Sequence, residues 1–186
     1  RSDHVWYDFM KLVEPLSTRW IYMTTPGNHD SFNDMEAYHQ TFQMPNNGQY
    51  YVLRSLYQDV ATFVSLSTEQ LMLPLTKQSI WMMKQLKSLK HDSKTKWLIL
   101  YIHKPLYCSS SWDYCKWSYL GLEREMIKYS MSYLIQQFNV HLVIAGHVHS
   151  YERSHPVYLD KVMGNYERPC GMYLFLSILF ACFSLD

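Results

Sequence analysis

The chain has 186 residues, 48% of them hydrophobic and 18% charged, which is enough apolar material for one packed domain. Its formal net charge of +1 supplies no electrostatic attraction for polyanions, so neither nucleic acid nor an anionic membrane surface is an expected partner. Sixteen Tyr and six Trp predict packing by large rings with polar tips.

In chain order, Trp20-Ile21-Tyr22-Met23-Thr24 is short and apolar enough for a buried strand. Residues 33–43 read as a short helix stopped by Pro45, and residues 50–53 and 60–66 as strands. Thr76 is a suitable N-cap for a helix reaching Lys90, with Ile80, Met83, Leu86 and Leu89 on one face. Residues 97–102 and 141–145 are two further buried-strand candidates, separated by a helix over 121–138. The apolar run over 172–183 is short for a bilayer span and reads as a strand, with a membrane anchor as the weaker alternative. No repeat or low-complexity linker interrupts the chain, so one α/β unit is expected.

Three of these strands are followed by metal-binding side chains: Gly27-Asn28-His29-Asp30, His103, and Gly146-His147-Val148-His149. In open α/β sheets, ligands bind beyond the carboxyl ends of strands, so residues at three such ends can converge. His147 and His149 are two apart, which in an extended segment puts both imidazoles on one side. Gly27 and Gly146 allow the chain to turn sharply there. Imidazole nitrogens with an amide oxygen suit Zn, Fe or Mn better than Ca or Mg. Those donors point to a metal-dependent hydrolase.

From Trp6 to Tyr158 the chain resembles the purple acid phosphatases of the calcineurin-like metallophosphoesterase superfamily. The resemblance rests on Leu12-Val13-Glu14-Pro15, Thr25-Pro26-Gly27-Asn28-His29-Asp30, His103-Lys104-Pro105-Leu106-Tyr107-Cys108-Ser109, and Ala145-Gly146-His147-Val148-His149-Ser150-Tyr151-Glu152-Arg153-Ser154. It implies an incomplete four-layer α/β/β/α sandwich lacking its N-terminal strands. Residues 1–169 would be a partial catalytic domain, and residues 170–186 an apolar tail atypical of the family.

The resemblance also implies a dinuclear centre of Fe(III) with Zn, Mn or Fe(II). Asn28, His103 and His147 would hold the divalent ion and His149 the Fe(III). His29 would contact the substrate phosphate and assist protonation of the leaving alkoxide. The implied reaction is phosphate monoester hydrolysis by a metal-bound hydroxide, with a homodimer as the implied assembly. Leu100 stands where the family usually has Val, an apolar exchange that leaves His103 undisturbed.

Two motifs of that family, Asp-x-Gly and Gly-Asp-x-x-Tyr, do not occur in the sequence. They supply the bridging carboxylate and the Asp and Tyr of the iron site. Two cations about 4 Å apart repel strongly without anions between them. Catalysis by this chain alone is therefore not expected. The alternative is a truncated, non-catalytic relative acting as a weak metal-binding or interaction module.

Cys108 and Cys115 flank a Ser-rich loop and could form a short disulfide or remain free thiols. His4, His39, His91, His141 and His155 read as surface or hydrogen-bonded residues. Asp30 and Asp34 read as helix caps. Tyr151, Glu152 and Arg153 read as lining a substrate mouth or as a structural ion pair. No signal peptide is visible, while the resemblance implies a secreted, lysosomal or vacuolar protein.

Overall fold

The computed structural model describes residues 3–55, 60–90, 92, 96–116, 119–163 and 174–177. The architecture is mixed α/β, as expected. Helix α1 (Asp3–Ser17) is followed by a 3-10 turn (Phe32–Met35) and helix α2 (Glu36–Thr41). Strands β1 (Tyr51–Arg54) and β2 (Ala61–Leu66) lead into α3 (Lys77–Lys90), β3 (Trp97–Ile102), α4 (Tyr119–Gln137) and β4 (Leu142–Ala145). Short strands β5 (Glu152–Arg153), β6 (Val157–Tyr158) and β7 (Lys161–Val162) follow, and β8 (Leu174–Ser177) comes last.

The main sheet has the order β1-β2-β3-β4-β8-β5, and β6 and β7 form a separate two-stranded ribbon. Strands β2, β3, β4 and β8 are mutually parallel, with β1 and β5 antiparallel to their neighbours. In register, Leu66 pairs with Ile102 and Ile102 with Ala145, so β2, β3 and β4 end level.

One face of the sheet presents Val64, Leu66, Leu98, Leu100, Ile102, Val143 and Ala145 to a core completed by Met82, Leu86 and Leu89 of α3 and Ile127, Met131, Leu134 and Ile135 of α4. The burial alternates: Phe63, Ile99, Tyr101 and Ile144 on the other face are only half-buried. The expectation of strands buried on both sides therefore holds for one side, the one that α3 and α4 seal.

Residues 20–24 do not form a strand. Trp20 and Ile21 are 73% and 60% exposed, and among the described residues no neighbouring strand pairs with this segment. Side chains hold it instead. Tyr51 and Tyr38 donate hydroxyl hydrogen bonds to the Thr24 carbonyl, the latter at 3.3 Å, and Thr25 Oγ1 donates to the Leu66 carbonyl at 3.1 Å.

Helix α1 is a further departure from the sequence expectation. Trp6, Phe9 and Val13 follow helical spacing; Trp6 and Phe9 meet Phe42 at ring distances of 5.9 and 6.2 Å, and Val13 is buried. Pro15 sits in its last turn, where the missing N–H removes one terminal hydrogen bond.

The helix expected over 33–43 is shorter, because Asn33, Asp34 and Met35 all have positive φ and delay the α-helix to Glu36. Thr76 does cap α3, with Oγ1 3.4 Å from the Ser79 N–H. The buried face of α3, however, is Gln78, Ser79, Met82, Leu86 and Leu89, while Ile80 and Met83 are exposed. The helix is turned because Gln78 has a buried task. Its side chain accepts from the Ser67 N–H and donates to the Ser67 carbonyl, both at 2.8 Å. Strand β8 falls within the 172–183 run and agrees with the strand reading of that segment.

Candidate metal centre

The site lies just beyond the level ends of β2, β3 and β4. His103 follows β3 and Gly146 follows β4, and the Gly146 N–H donates to the His103 carbonyl at 2.9 Å. The turn carrying Asn28 is closed on itself: the Asp30 N–H donates to the Gly27 carbonyl at 3.0 Å, and the Gly27 N–H to Asp30 Oδ2 at 2.8 Å. Asp30 therefore stabilises this turn. The 3-10 turn that contains Asp34 has no side-chain cap.

The side chains of Asn28, His103 and His147 come together. Asn28 Oδ1 lies 2.8 Å from His103 Nε2 and 3.2 Å from His147 Nδ1, and the two nitrogens are 3.1 Å apart. His147 has a φ of 65°, at the centre of a three-residue turn closed by a 2.7 Å hydrogen bond from the Val148 N–H to the Gly146 carbonyl. A non-glycine residue in that conformation stores strain, and such strain concentrates at functional sites.

The other two predicted residues stand apart from this trio. His149 is exposed and its ring packs against Trp112 at 4.8 Å. His29 is also exposed. Both stand near enough to disfavour protonation of the half-buried His103 and His147. Burial first, then the neighbouring His147 and Lys104 charges, pushes the His103 pKa down to about 3. Burial and then Lys104 push that of His147 down to about 4. Both rings are thus neutral near pH 7, the form that can donate a lone pair to a cation.

This donor set fits one metal ion. Bonds of about 2.0–2.1 Å to imidazole put neighbouring donors of a tetrahedral ion roughly 3.3 Å apart, close to the spacings seen here. It does not supply two ions. Among the described residues, no group of three or more His, Cys, Asp or Glu side chains is gathered as a metal would require.

Tyr114, Glu69 and Glu123, which surround the trio, belong to none of the sequence motifs. The Tyr114 ring packs on His147 at 4.7 Å, and its hydroxyl donates to the Pro105 carbonyl at 3.0 Å. Lys104 is buried, with Nζ 2.9 Å from Glu69 and 2.7 Å from Glu123. Burial works against its ammonium, yet the hydrogen bonds and charges of the two carboxylates hold its pKa above the ordinary lysine value. Lys104 itself lies in the His-Lys-Pro string, directly after the apolar run of β3, and that position was the available hint of a buried partner.

Cys108 and Cys115 form a disulfide, which resolves the alternative left open above. The loop it closes carries Trp112 and Tyr114, and Arg124 donates to the Cys115 carbonyl at 2.7 Å. Glu152 accepts from the Ser109 N–H at 2.9 Å, so it holds the loop after His103. His141 and His39 are hydrogen-bonded: His141 Nδ1 accepts from the Leu98 N–H at 3.0 Å, and His39 Nε2 is 3.4 Å from the Gln49 amide nitrogen. His91 lies outside the described residues.

A parallel-rich sheet with Asn and His at its carboxyl ends is the arrangement of a metallophosphoesterase, and residues 2–151 match the family described as calcineurin-like phosphoesterase. The chain belongs to that family and is homologous to purple acid phosphatases over most of its length. It is 32% identical to acid phosphatase type 7 of Homo sapiens, over 87% of this chain and 39% of that protein. It is 30% identical to probable purple acid phosphatase 20 of Arabidopsis thaliana, over 84% of this chain and 38% of that one. Among solved structures, purple acid phosphatase PPD1 from yellow lupin (Lupinus luteus) seeds superposes with a TM-score of 0.75 at 26% identity, covering 92% of this chain and 33% of that chain. The chain spans about two fifths of the length of these curated relatives. Purple acid phosphatases use a dinuclear metal centre. Among the described residues no helix is long and apolar enough to cross a membrane.

Proposed function

We propose that this chain carries the divalent-metal half of an acid phosphatase site that acts on phosphate monoesters. The observation that supports it is the meeting of Asn28, His103 and His147 from three separate segments at the strand ends. These three would hold a Zn, Mn or Fe(II) ion. His149 would hold an Fe(III) after turning from Trp112. His29, exposed beside them, would touch the phosphate and pass a proton to the leaving alkoxide. Bound metal would polarise the phosphoryl oxygens and lower the pKa of water. The buried Tyr114 ring would keep solvent from one side of His147.

Residues 1–169 would form the catalytic portion and 170–186 the tail. The Cys108–Cys115 disulfide supports a secreted, lysosomal or vacuolar location, and a homodimer belongs to the same reading. Because the Asp-x-Gly and Gly-Asp-x-x-Tyr motifs do not occur in the sequence, turnover by this chain alone is not expected. A second reading, a non-catalytic relative that binds one ion, is favoured by the donor set, which suits one cation and not two.

The test is zinc titration of the purified chain, with phosphatase assay of an aryl phosphate at acid pH with and without Fe and Zn. Zinc binding abolished by His147→Ala supports the metal site. Turnover gained by adding an upstream segment that carries the two motifs supports the phosphatase reading over the non-catalytic one. A wild-type chain with no affinity for zinc would end both.

A further inference from the structure

We propose that Lys104 is a positioning residue. Clasped between Glu69 and Glu123, it locks the peptide that follows His103 and so sets His103 Nε2 against Asn28 and His147. This role rests on the metal-site reading above.

Strand β3 ends at Ile102, so no ladder fixes His103 itself. Its peptide is held on both sides instead. The His103 carbonyl accepts from Gly146, and the next N–H, that of Lys104, donates to Thr68 Oγ1 at 2.9 Å. Thr68 and Glu69 are consecutive in the turn after β2. That one turn therefore grips Lys104 twice, through its backbone and through the 2.9 Å ion pair at Nζ. Glu123, from α4, closes the clasp at 2.7 Å. Displacement of the His103 peptide would drag Lys104 from both carboxylates and from Thr68.

Packing alone does not account for a lysine here. Lys104 is 7% exposed, and the Glu69 side chain 5%. Replacing an entire buried ion cluster, carboxylates and lysine together, by apolar residues of similar volume is often neutral or stabilising, whereas removing one partner strands the other's charge. What an apolar residue would not reproduce is direction: two carboxylates on different elements fix where Nζ sits, and with it the adjoining peptide. Groups that orient a metal ligand typically change metal affinity by about 10–100-fold when removed.

The experiment is calorimetric Zn(II) titration of the full chain as wild type, Lys104→Met, Lys104→Arg and Glu123→Gln, with thermal unfolding of each metal-free protein measured in parallel. Lys104→Met leaves the Glu69 carboxylate buried without its cation, so it is expected to lose metal-free stability and to bind zinc about tenfold or more weakly. Lys104→Arg should recover most of the affinity, because it keeps the ion pairs. Glu123→Gln, at a partly exposed carboxylate, should fold and show a smaller loss in the same direction. Wild-type affinity in Lys104→Met, or in Glu123→Gln if the methionine variant does not fold, overturns the positioning role. Failure of the wild-type chain to bind zinc overturns the metal site beneath it, a result separable from the first.

Discussion

Asn28 and His103 are 75 residues apart in the chain, yet Oδ1 of one lies 2.8 Å from Nε2 of the other. The approach depends on the residue beside Asn28 having no side chain. A Cβ at Gly27 would fall 2.8 Å from atoms of the His103 ring, whereas one at Gly146 would meet the same ring at 3.6 Å, an ordinary contact. Gly27→Ala is therefore expected to displace His103 and lower zinc affinity about tenfold or more. Gly146→Ala should leave that affinity within about twofold, on the same reasoning about ligand displacement. Zinc titration of the two variants side by side checks the difference.

The turned helix α3 predicts an inversion of the simple hydrophobic reading. Met82 is 1% exposed and Ile80 57%. Met82→Ala should cost about 2–5 kcal/mol, and Ile80→Ala about 0.5 kcal/mol or less. Gln78→Met would leave the Ser67 N–H and carbonyl unpaired in a buried place, at about 1–3 kcal/mol for each group. Chemical denaturation of the three variants tests the ranking.

The Cys108–Cys115 bridge closes a loop with a sequence separation of 7. By chain entropy, a loop that short contributes about 2 kcal/mol. The double variant Cys108→Ser/Cys115→Ser should be less stable by that free energy in denaturant unfolding. Its effect should be concentrated in the loop: hydrogen exchange at Trp112 and Tyr114 is expected to rise, while the β3 amides stay protected.

His141 accepts the Leu98 N–H through Nδ1, and burial lowers its pKa from the ordinary 6.5. The folded chain therefore binds this proton less readily than the unfolded chain. Its contribution to stability is complete above pH 6.5 and declines as the pH falls through the lowered folded value. His141→Gln, which cannot take up a proton, should flatten the loss of stability on acidification relative to wild type. Imidazole NMR titration of His141, with a midpoint at or above the free value, would contradict the assignment.

The motifs were legible because each is a local string: Gly-Asn-His-Asp, His-Lys-Pro and Gly-His-Val-His are read without knowing what lies near them in space. Strands β1 to β4 and helices α3 and α4 were legible within a residue or two for the same reason, since apolar runs and helical spacing are properties of neighbours in the chain. Residues 20–24 were read as a strand from their apolar content, but a strand also needs a hydrogen-bonding partner, and composition does not provide one. Helix α1 was missed although Trp6, Phe9 and Val13 carry the helical period.

The fold settled matters that depend on atoms distant in the chain. Gln78 turns inward on α3 because the Ser67 peptide needs a partner, and that turn carries Ile80 out to solvent. Lys104 is buried because Glu69 and Glu123, 54 positions apart in sequence, arrive on either side of it. The two imidazoles meet because β3 and β4 end in register, Asn28 joins them because side-chain hydrogen bonds tie Thr24 and Thr25 beside the sheet, and His149, two residues beyond His147, turns to Trp112 instead. Donor chemistry belongs to each residue alone; convergence belongs to the tertiary structure, since parallel strands ending level, and side chains that tie a strandless segment beside them, bring such separate residues within hydrogen-bond distance.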